Sequence, residues 1–350
     1  MCGCGLVVGG EQLDGGDPIA DDLAQYQQLV TALEAERTQA LAETVEAVTT
    51  AGPWLAWIDG QTLGLRRVTD GLELELPAPD SSYQVAESHV ITAERVGAEV
   101  IYRGYALPSG EPIDDQSLAA SEGASAYALL GDAAIVVAAD TILRWRLGLE
   151  QPAALGTLAE AGLAGPVERL EAVADQDREL LILHADAQLW ILDLASFTAE
   201  PIAELDALLS VDARRVLFSD GDALYLHELD GATVRVDEAI AASGWSLNPT
   251  FASIHEYTGD GATLADDRVL YIGSAGVFAY ALDVAGPEAI TPILIEPRWD
   301  VAAGIPRIEY REPSVADGTV FVRGLLGASG EVGETGPIFA APAEGPASKF

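Results

Sequence analysis

Val269 to Asp283 reads VLYIGSAGVFAYALD, and this stretch decides the fold. Val269 to Ile272 form a short apolar run, Gly273-Ser274-Ala275-Gly276 a turn, and Val277 to Leu282 a second run closing on Asp283. Two β-rich runs joined by a short Gly-containing loop predict a hairpin. The pattern recurs. VLFSDGDALYLHELD spans Val216 to Asp230, and LILHADAQLWILDL spans Leu181 to Leu194. IVVAADTILRWRLG spans Ile135 to Gly148, and LAWIDGQTLGLRRV spans Leu55 to Val68. In each of the five, the residue eight positions after the first is aliphatic: Leu63, Leu143, Leu189, Leu224 and Val277.

Two looser copies complete the series. One pairs His89-Val90-Ile91-Thr92 with Glu99-Val100-Ile101-Tyr102, and the other pairs Thr319-Val320-Phe321-Val322 with Ile338-Phe339-Ala340. First strands then begin at 55, 90, 135, 181, 216, 269 and 320. Self-similarity at a period of about 40–50 residues, with room for four strands per unit, is the sequence sign of a propeller. A small sheet that is apolar on both faces can bury them only against neighbouring sheets, and circular closure leaves no end sheet exposed. The expected fold is all-β: a β-propeller of about seven four-stranded blades over residues 51–343. Strands between Trp54 and Leu76 are expected to pair with the C-terminal repeat and close the ring. Short helical insertions are expected at 153–171 and 237–246, and a frayed tail at 344–350.

The N-terminus has a different texture. Residues 5–20 (GLVVGGEQLDGGDPIA) are rich in Gly and Asp and read as a flexible tether. Residues 21–50 predict an amphipathic helix. Asp21 and Asp22 suit the positive end of a helix dipole, Leu23, Tyr26, Val30 and Leu33 recur at helical spacing, and Leu41, Val45 and Val48 resume the stripe. Both cysteines, Cys2 and Cys4, precede this tether. The remaining chain therefore has no disulfide and no Cys-based zinc site.

Charge excludes some partners. With 18 basic against 56 acidic residues the net charge is −38, and Lys349 is the only lysine. Nucleic acid needs clustered Arg and Lys, and an anionic membrane surface would repel this chain. No window offers the ~20 uncharged apolar residues of a membrane helix. Such a surface repels itself where the Debye length is long, ~30 Å at 0.01 M salt against ~8 Å at 0.15 M. Sodium chloride is therefore expected to raise the melting midpoint over the first few hundred millimolar. A flat midpoint would mean that the acids are locally compensated.

VLYIGSAGVFAYALD resembles the repeat of pyrroloquinoline-quinone-type and WD40-like propellers, whose blades commonly read as strand, Gly-Ser-turn-Gly, strand, Ala-Leu-Asp. Val216 to Asp230 and Leu181 to Leu194 match it in part. The Gly and Trp that close each quinoprotein blade do not recur, so the cofactor-cradling residues of the quinoprotein dehydrogenases have no counterparts here. A cysteine followed by Gly and a polar run resembles the mature start of a bacterial lipoprotein, which implies acylation of Cys2 and attachment to a membrane through that lipid alone.

Candidate chemistry is sparse. His89, His184, His227 and His255 share no repeat position, and each is expected to be structural or superficial. Ser219-Asp220-Gly221-Asp222 and Thr258-Gly259-Asp260-Gly261 resemble fragments of calcium loops, which makes Asp220, Asp222 and Asp260 the candidate metal ligands. Asp and Gly are also what β-turns demand, and the terminal bidentate Glu is missing. No Gly-x-Ser-x-Gly, phosphate loop or His-Glu-x-x-His occurs. The sequence thus predicts a non-catalytic, extracytoplasmic binding or scaffolding protein with protein partners and no cofactor. The alternatives are an enzyme with a metal (calcium) or quinone in the axial funnel, and an outer-membrane assembly lipoprotein.

Overall fold

The structure, a computed structural model, describes residues 38–79, 82–119, 126–148, 151–163, 165–175, 178–221, 223–243, 261–273, 276–295, 307–328, 331–332 and 335–345. The strands are numbered in chain order. β1 is Thr38–Val45. Blade 1 holds β2 (Ala47–Ala51), β3 (Trp54–Asp59), β4 (Thr62–Arg67) and β5 (Glu73–Pro77). Blade 2 holds β6 (Ser82–Val85), β7 (His89–Val96), β8 (Glu99–Ala106) and β9 (Pro112–Ala119). Blade 3 holds β10 (Tyr127–Leu130), β11 (Ala133–Ala138), β12 (Thr141–Arg146) and β13 (Ala153–Thr157). Blade 4 holds β14 (Val167–Asp175), β15 (Arg178–Ala185), β16 (Gln188–Asp193) and β17 (Thr198–Glu204). Blade 5 holds β18 (Ala207–Val211), β19 (Arg215–Asp220), β20 (Ala223–Glu228) and β21 (Thr233–Arg235), followed by the helix α1 (Val236–Ala242). Blade 6 holds β22 (Ala262–Ala265), β23 (Arg268–Gly273), β24 (Gly276–Ala281) and β25 (Ile290–Ile295). Blade 7 takes β26 (Arg307–Ala316), β27 (Thr319–Ala328), β28 (Glu331–Val332) and β29 (Gly336–Pro342), and its outer strand is β1.

All seven sequence hairpins are the second and third strands of a blade. The chain is a seven-bladed β-propeller. Two-residue turns close the hairpins of blades 1–4, and in blade 4 both turn residues, Asp186 and Ala187, have φ near 53–54°. That pair of left-handed residues is the type I′ geometry that matches strand twist.

Seven apolar clusters fill the seven blade interfaces, one each. Alternation along the second strands explains why. Ala134 and Val136 pack toward blade 2, while Ile135 and Val137 pack toward blade 4. Val216 and Phe218 face blade 4, and Leu217 faces blade 6. With both faces apolar, every sheet is sandwiched, which a closed ring alone provides. Leu63, Leu189, Leu224 and Val277 do share one position facing the following blade. Leu143 does not. The copy counted from Ile135 starts one residue late relative to the other four, so the equivalent residue is Ile142, paired with Val137 and fully buried.

Three expectations need correcting. Residues 38–51 are strands, not the end of a helix, while residues 21–37 lie outside the described residues. Leu41, Val45 and Val48 mimic a helical stripe. Thr38, Thr44, Val45, Val48, Thr49 and Thr50, however, are β-branched and suit a strand. β1 covers an edge of β29 that would otherwise stay open. Ring closure is therefore made by β1 on β29, and the strands from Trp54 to Leu76 belong to blade 1. The propeller accordingly includes residues 38–50, ahead of the boundary expected at 51. Of the two helical insertions, α1 is present, but 153–171 contains β13, a turn and the start of β14. There Thr157 and Glu160 exchange the side-chain bonds of a capping box (2.8 and 3.1 Å), yet the turn goes no further: Gly162 has φ 86° and Pro166 follows.

Gly64 shows how tightly the sheets are built. It pairs with Trp57 across β3 and β4, and a Cβ there would lie 2.2 Å from the indole. Gly64→Ala is expected to displace Trp57 from the blade 7–blade 1 interface at a cost of about 1–3 kcal/mol. Denaturant unfolding measures this, and an unchanged midpoint would contradict the packing.

Candidate functional site: the axial cavity

The first strand of each blade lies innermost, and the inner strands of neighbouring blades 2 to 7 and of blades 7 and 1 approach one another around the axis. Each has one edge paired within its blade and the other turned inward. An unpaired backbone edge away from bulk water must find partners. Here side chains from neighbouring blades supply several. Gln84 Nε2 donates to the Tyr127 carbonyl at 2.9 Å, and Gln84 Oε1 accepts from the Leu129 N–H at 3.0 Å, so one amide spans β6 and β10. Arg169 of β14 donates to the carbonyls of Leu208 (2.5 Å) and Leu209 (3.3 Å) in β18, and pairs with Glu171 at 3.0 Å. Thr263 and Ser210 link β22 to β18 at 3.2 Å.

The closing junction is fastened by several side chains. Thr50 Oγ1 donates to the Val315 carbonyl (2.8 Å), and the Val48 N–H donates to Glu312 Oε2 (2.7 Å). Arg323 Nη2 binds Glu312 Oε1 at 2.6 Å, and Arg323 Nη1 donates to the Glu46 carbonyl. These two side chains are only 10% and 15% exposed. Glu312 itself has φ 54°, inside a bulge of β26 between Arg311 and Ser314. A non-glycine residue held left-handed stores roughly 1–3 kcal/mol, which the surrounding contacts must offset.

Off these fastenings opens a cavity of about 620 Å³, lined by inner strands of blades 1 to 4: Thr49–Ala51, Ser82–Ala86, Ala126, Tyr127, Leu129 and Glu168–Glu171, with Arg95 at its rim. Burial pushes the Tyr83 phenol up, and the nearby Glu312 carboxylate pushes it the same way, so it is uncharged at neutral pH. Arg169 and Glu171 neutralise one another. The cavity is thus a polar, nearly charge-balanced space inside a strongly acidic protein.

Asp220 does not line this cavity. Asp220 is an exposed residue at the end of β19, beside Ala223, while Asp222, Asp260, His255 and Cys2 lie outside the described residues. No group of three or more His, Cys, Asp or Glu side chains placed to hold a metal occurs among the described residues. His89 bonds Ser88 (2.8 Å) and the buried His227 bonds Thr233 (3.0 Å); burial lowers the His227 pKa, with Glu228 opposing. His184 is buried with Nδ1 3.5 Å from Glu168. Sequence reasoning missed Gln84, Arg169, Glu312 and Arg323. The signal available for Gln84, Arg169 and Glu312 was position, since each is a polar residue on the inner strand ahead of an apolar hairpin; Arg323 lies within the last hairpin, on β27.

No protein-family model matches the chain, and neither does any curated protein. Among solved structures, apo AztD from Citrobacter koseri is similar with a TM-score of 0.39 and 9% identity, covering 67% of this chain and 68% of that one. A crystal structure of Citrobacter koseri AztD gives 0.40 and 11%, covering 69% of each. The AfRom2 CNH domain gives 0.45 and 10%, covering 67% of this chain and 79% of that domain. At such identities these likenesses say nothing of ligand or partner.

Proposed function

We propose that this chain is a non-catalytic binding or scaffolding propeller that works outside the cytoplasm and recognises protein partners. One observation carries the reading: around the axial cavity the polar side chains of Gln84, Arg169, Thr50, Glu312 and Arg323 are engaged in joining blade to blade. Groups so engaged hold a rigid surface and are not positioned as a nucleophile, base or ligand set. A rigid ring with a broad rim suits recognition, an inference by analogy of fold. The acidic surface favours partners with basic patches, because complementary potentials speed encounter.

Elemental and absorption analysis of the purified full chain tests the reading. Neither a stoichiometric metal nor an absorbing cofactor is expected. Calcium at one equivalent, bound through turns such as Asp220-Gly221-Asp222, would overturn it in favour of an enzyme or a metal-dependent fold.

The same reading places the protein on a membrane through acylated Cys2. Sixteen coil residues, 5–20, span about 20–24 Å on the scaling for flexible linkers, enough to hold the ring clear of a bilayer. Expressed in a bacterium with a lipoprotein signal upstream, the protein should sediment with membranes and Cys2→Ser should be released. Equal solubility of the two forms would contradict the anchor.

A further inference from the structure

We propose that the inner edge of blade 2 is a β-augmentation site, where an extended peptide bearing basic side chains enters the axial cavity and pairs with β6 through Tyr83 and Val85. The proposal rests on the protein-binding reading above and names the site and the partner's chemistry.

The hydrogen-bond phase of β6 makes the argument. The Ala86 N–H donates to the His89 carbonyl at 2.8 Å, so Ala86 and, two and four residues back, Gln84 and Ser82 bond toward β7. Tyr83 and Val85 must then turn their N–H and C=O groups the other way, onto the inner edge. On β10 the same phase holds: the Val137 N–H reaches the Ala126 carbonyl, which leaves Tyr127 and Leu129 facing inward, and Gln84 caps both. Glu312 caps Val48 of β2, and Arg169 caps β18. For the inward groups of Tyr83 and Val85, no hydrogen-bond partner occurs among the described residues.

That uncapped edge lies against the cavity along all of residues 82–86. A row of alternating donors and acceptors is matched by one kind of ligand, an extended main chain. The cavity's ~620 Å³ falls in the range of small-ligand pockets, and four or five residues at ~3.3 Å each would follow residues 82–86 along their length. Charge selects the side chains. Glu168 lines the cavity with 55% of its side chain exposed, Arg169 is neutralised by Glu171, and Arg95 at the rim offsets a single acid. Around this balanced space the whole chain carries −38, so a basic peptide is drawn in and an acidic one repelled.

The test screens the full chain against a fluorescent library of acetylated, amidated hexapeptides with Lys or Arg at alternate positions and β-branched residues between. Binders tighter than about 100 μM are expected. N-methylation of their edge-facing amides should abolish binding. Val85→Pro removes an N–H that the sheet does not use and is expected to weaken binding roughly three- to tenfold for the single bond lost, with melting unchanged. Should that variant unfold, hydrogen exchange of the Tyr83 and Val85 amides in the wild type serves instead, and saturating peptide should slow it at least about tenfold. An empty screen overturns the site, and so does binding indifferent to N-methylation and to Val85→Pro. In the second case the protein still binds peptides elsewhere, and the broader reading survives. A stoichiometric metal or cofactor would instead remove that reading itself.

Discussion

Arg323→Ala is expected to destabilise the protein by about 3–5 kcal/mol, the cost of removing one partner of a buried ion pair. Arg323 holds Glu312 and the Glu46 carbonyl together, and Glu312 in turn receives the Val48 N–H. Without the guanidinium, Glu312 keeps its left-handed backbone at the closing junction but loses its Arg323 partner. Glu312→Ala should cost nearly as much, because it removes the carboxylate that Arg323 Nη2 binds. The double replacement Glu312→Leu with Arg323→Met should cost much less than the sum of the single changes, since an apolar pair needs no charge compensation. Denaturant unfolding of the four proteins measures this cycle. Single variants within about 1 kcal/mol of the wild type would place the pair among ordinary surface ion pairs.

Removing residues 1–45 should have an effect of similar size for a different reason. β1 is the outer strand of blade 7, and Val45 packs with Ile338 and Ala340 at the blade 7–blade 1 interface. Losing one fully buried aliphatic side chain costs about 1.5–3 kcal/mol. The uncovered edge of β29 and partial exposure of Ile338 add to it. Against the 5–15 kcal/mol typical of a whole domain, the shortened chain should melt roughly 10 °C lower and self-associate through the open edge. An unchanged melting midpoint, with the chain still monomeric, would show that β1 contributes nothing to closure.

The hairpins were legible in the sequence because each must be apolar on both faces. Alternation that sends Ile135 one way and Val136 the other reads as a continuous apolar run, and two-residue turns punctuate it. Register was less legible. Leu143 and Ile142 are both aliphatic, and pairing with Val137 is what selects Ile142. The inner strands were not legible at all. Ala47–Ala51 (AVTTA) and Ser82–Val85 (SYQV) are short, mixed in polarity and paired along one edge only, so no period marks them. The candidate cavity is built from such strands, which is why its residues escaped a reading centred on His and Asp. β1 escaped for a related reason: its role is to complete a sheet whose other strands lie about 300 residues away, and local spacing there favours a helix.

Closure by the N-terminal strand is the claim on which the ring, the clasp and the cavity all depend. Hydrogen–deuterium exchange of the full chain, read on peptides covering residues 38–45 and 336–342, tests it most directly. The two segments should be protected together and lose protection together as denaturant is raised, ahead of or along with the remaining blades. Fast exchange at 38–45 while 336–342 stays protected would contradict closure by β1.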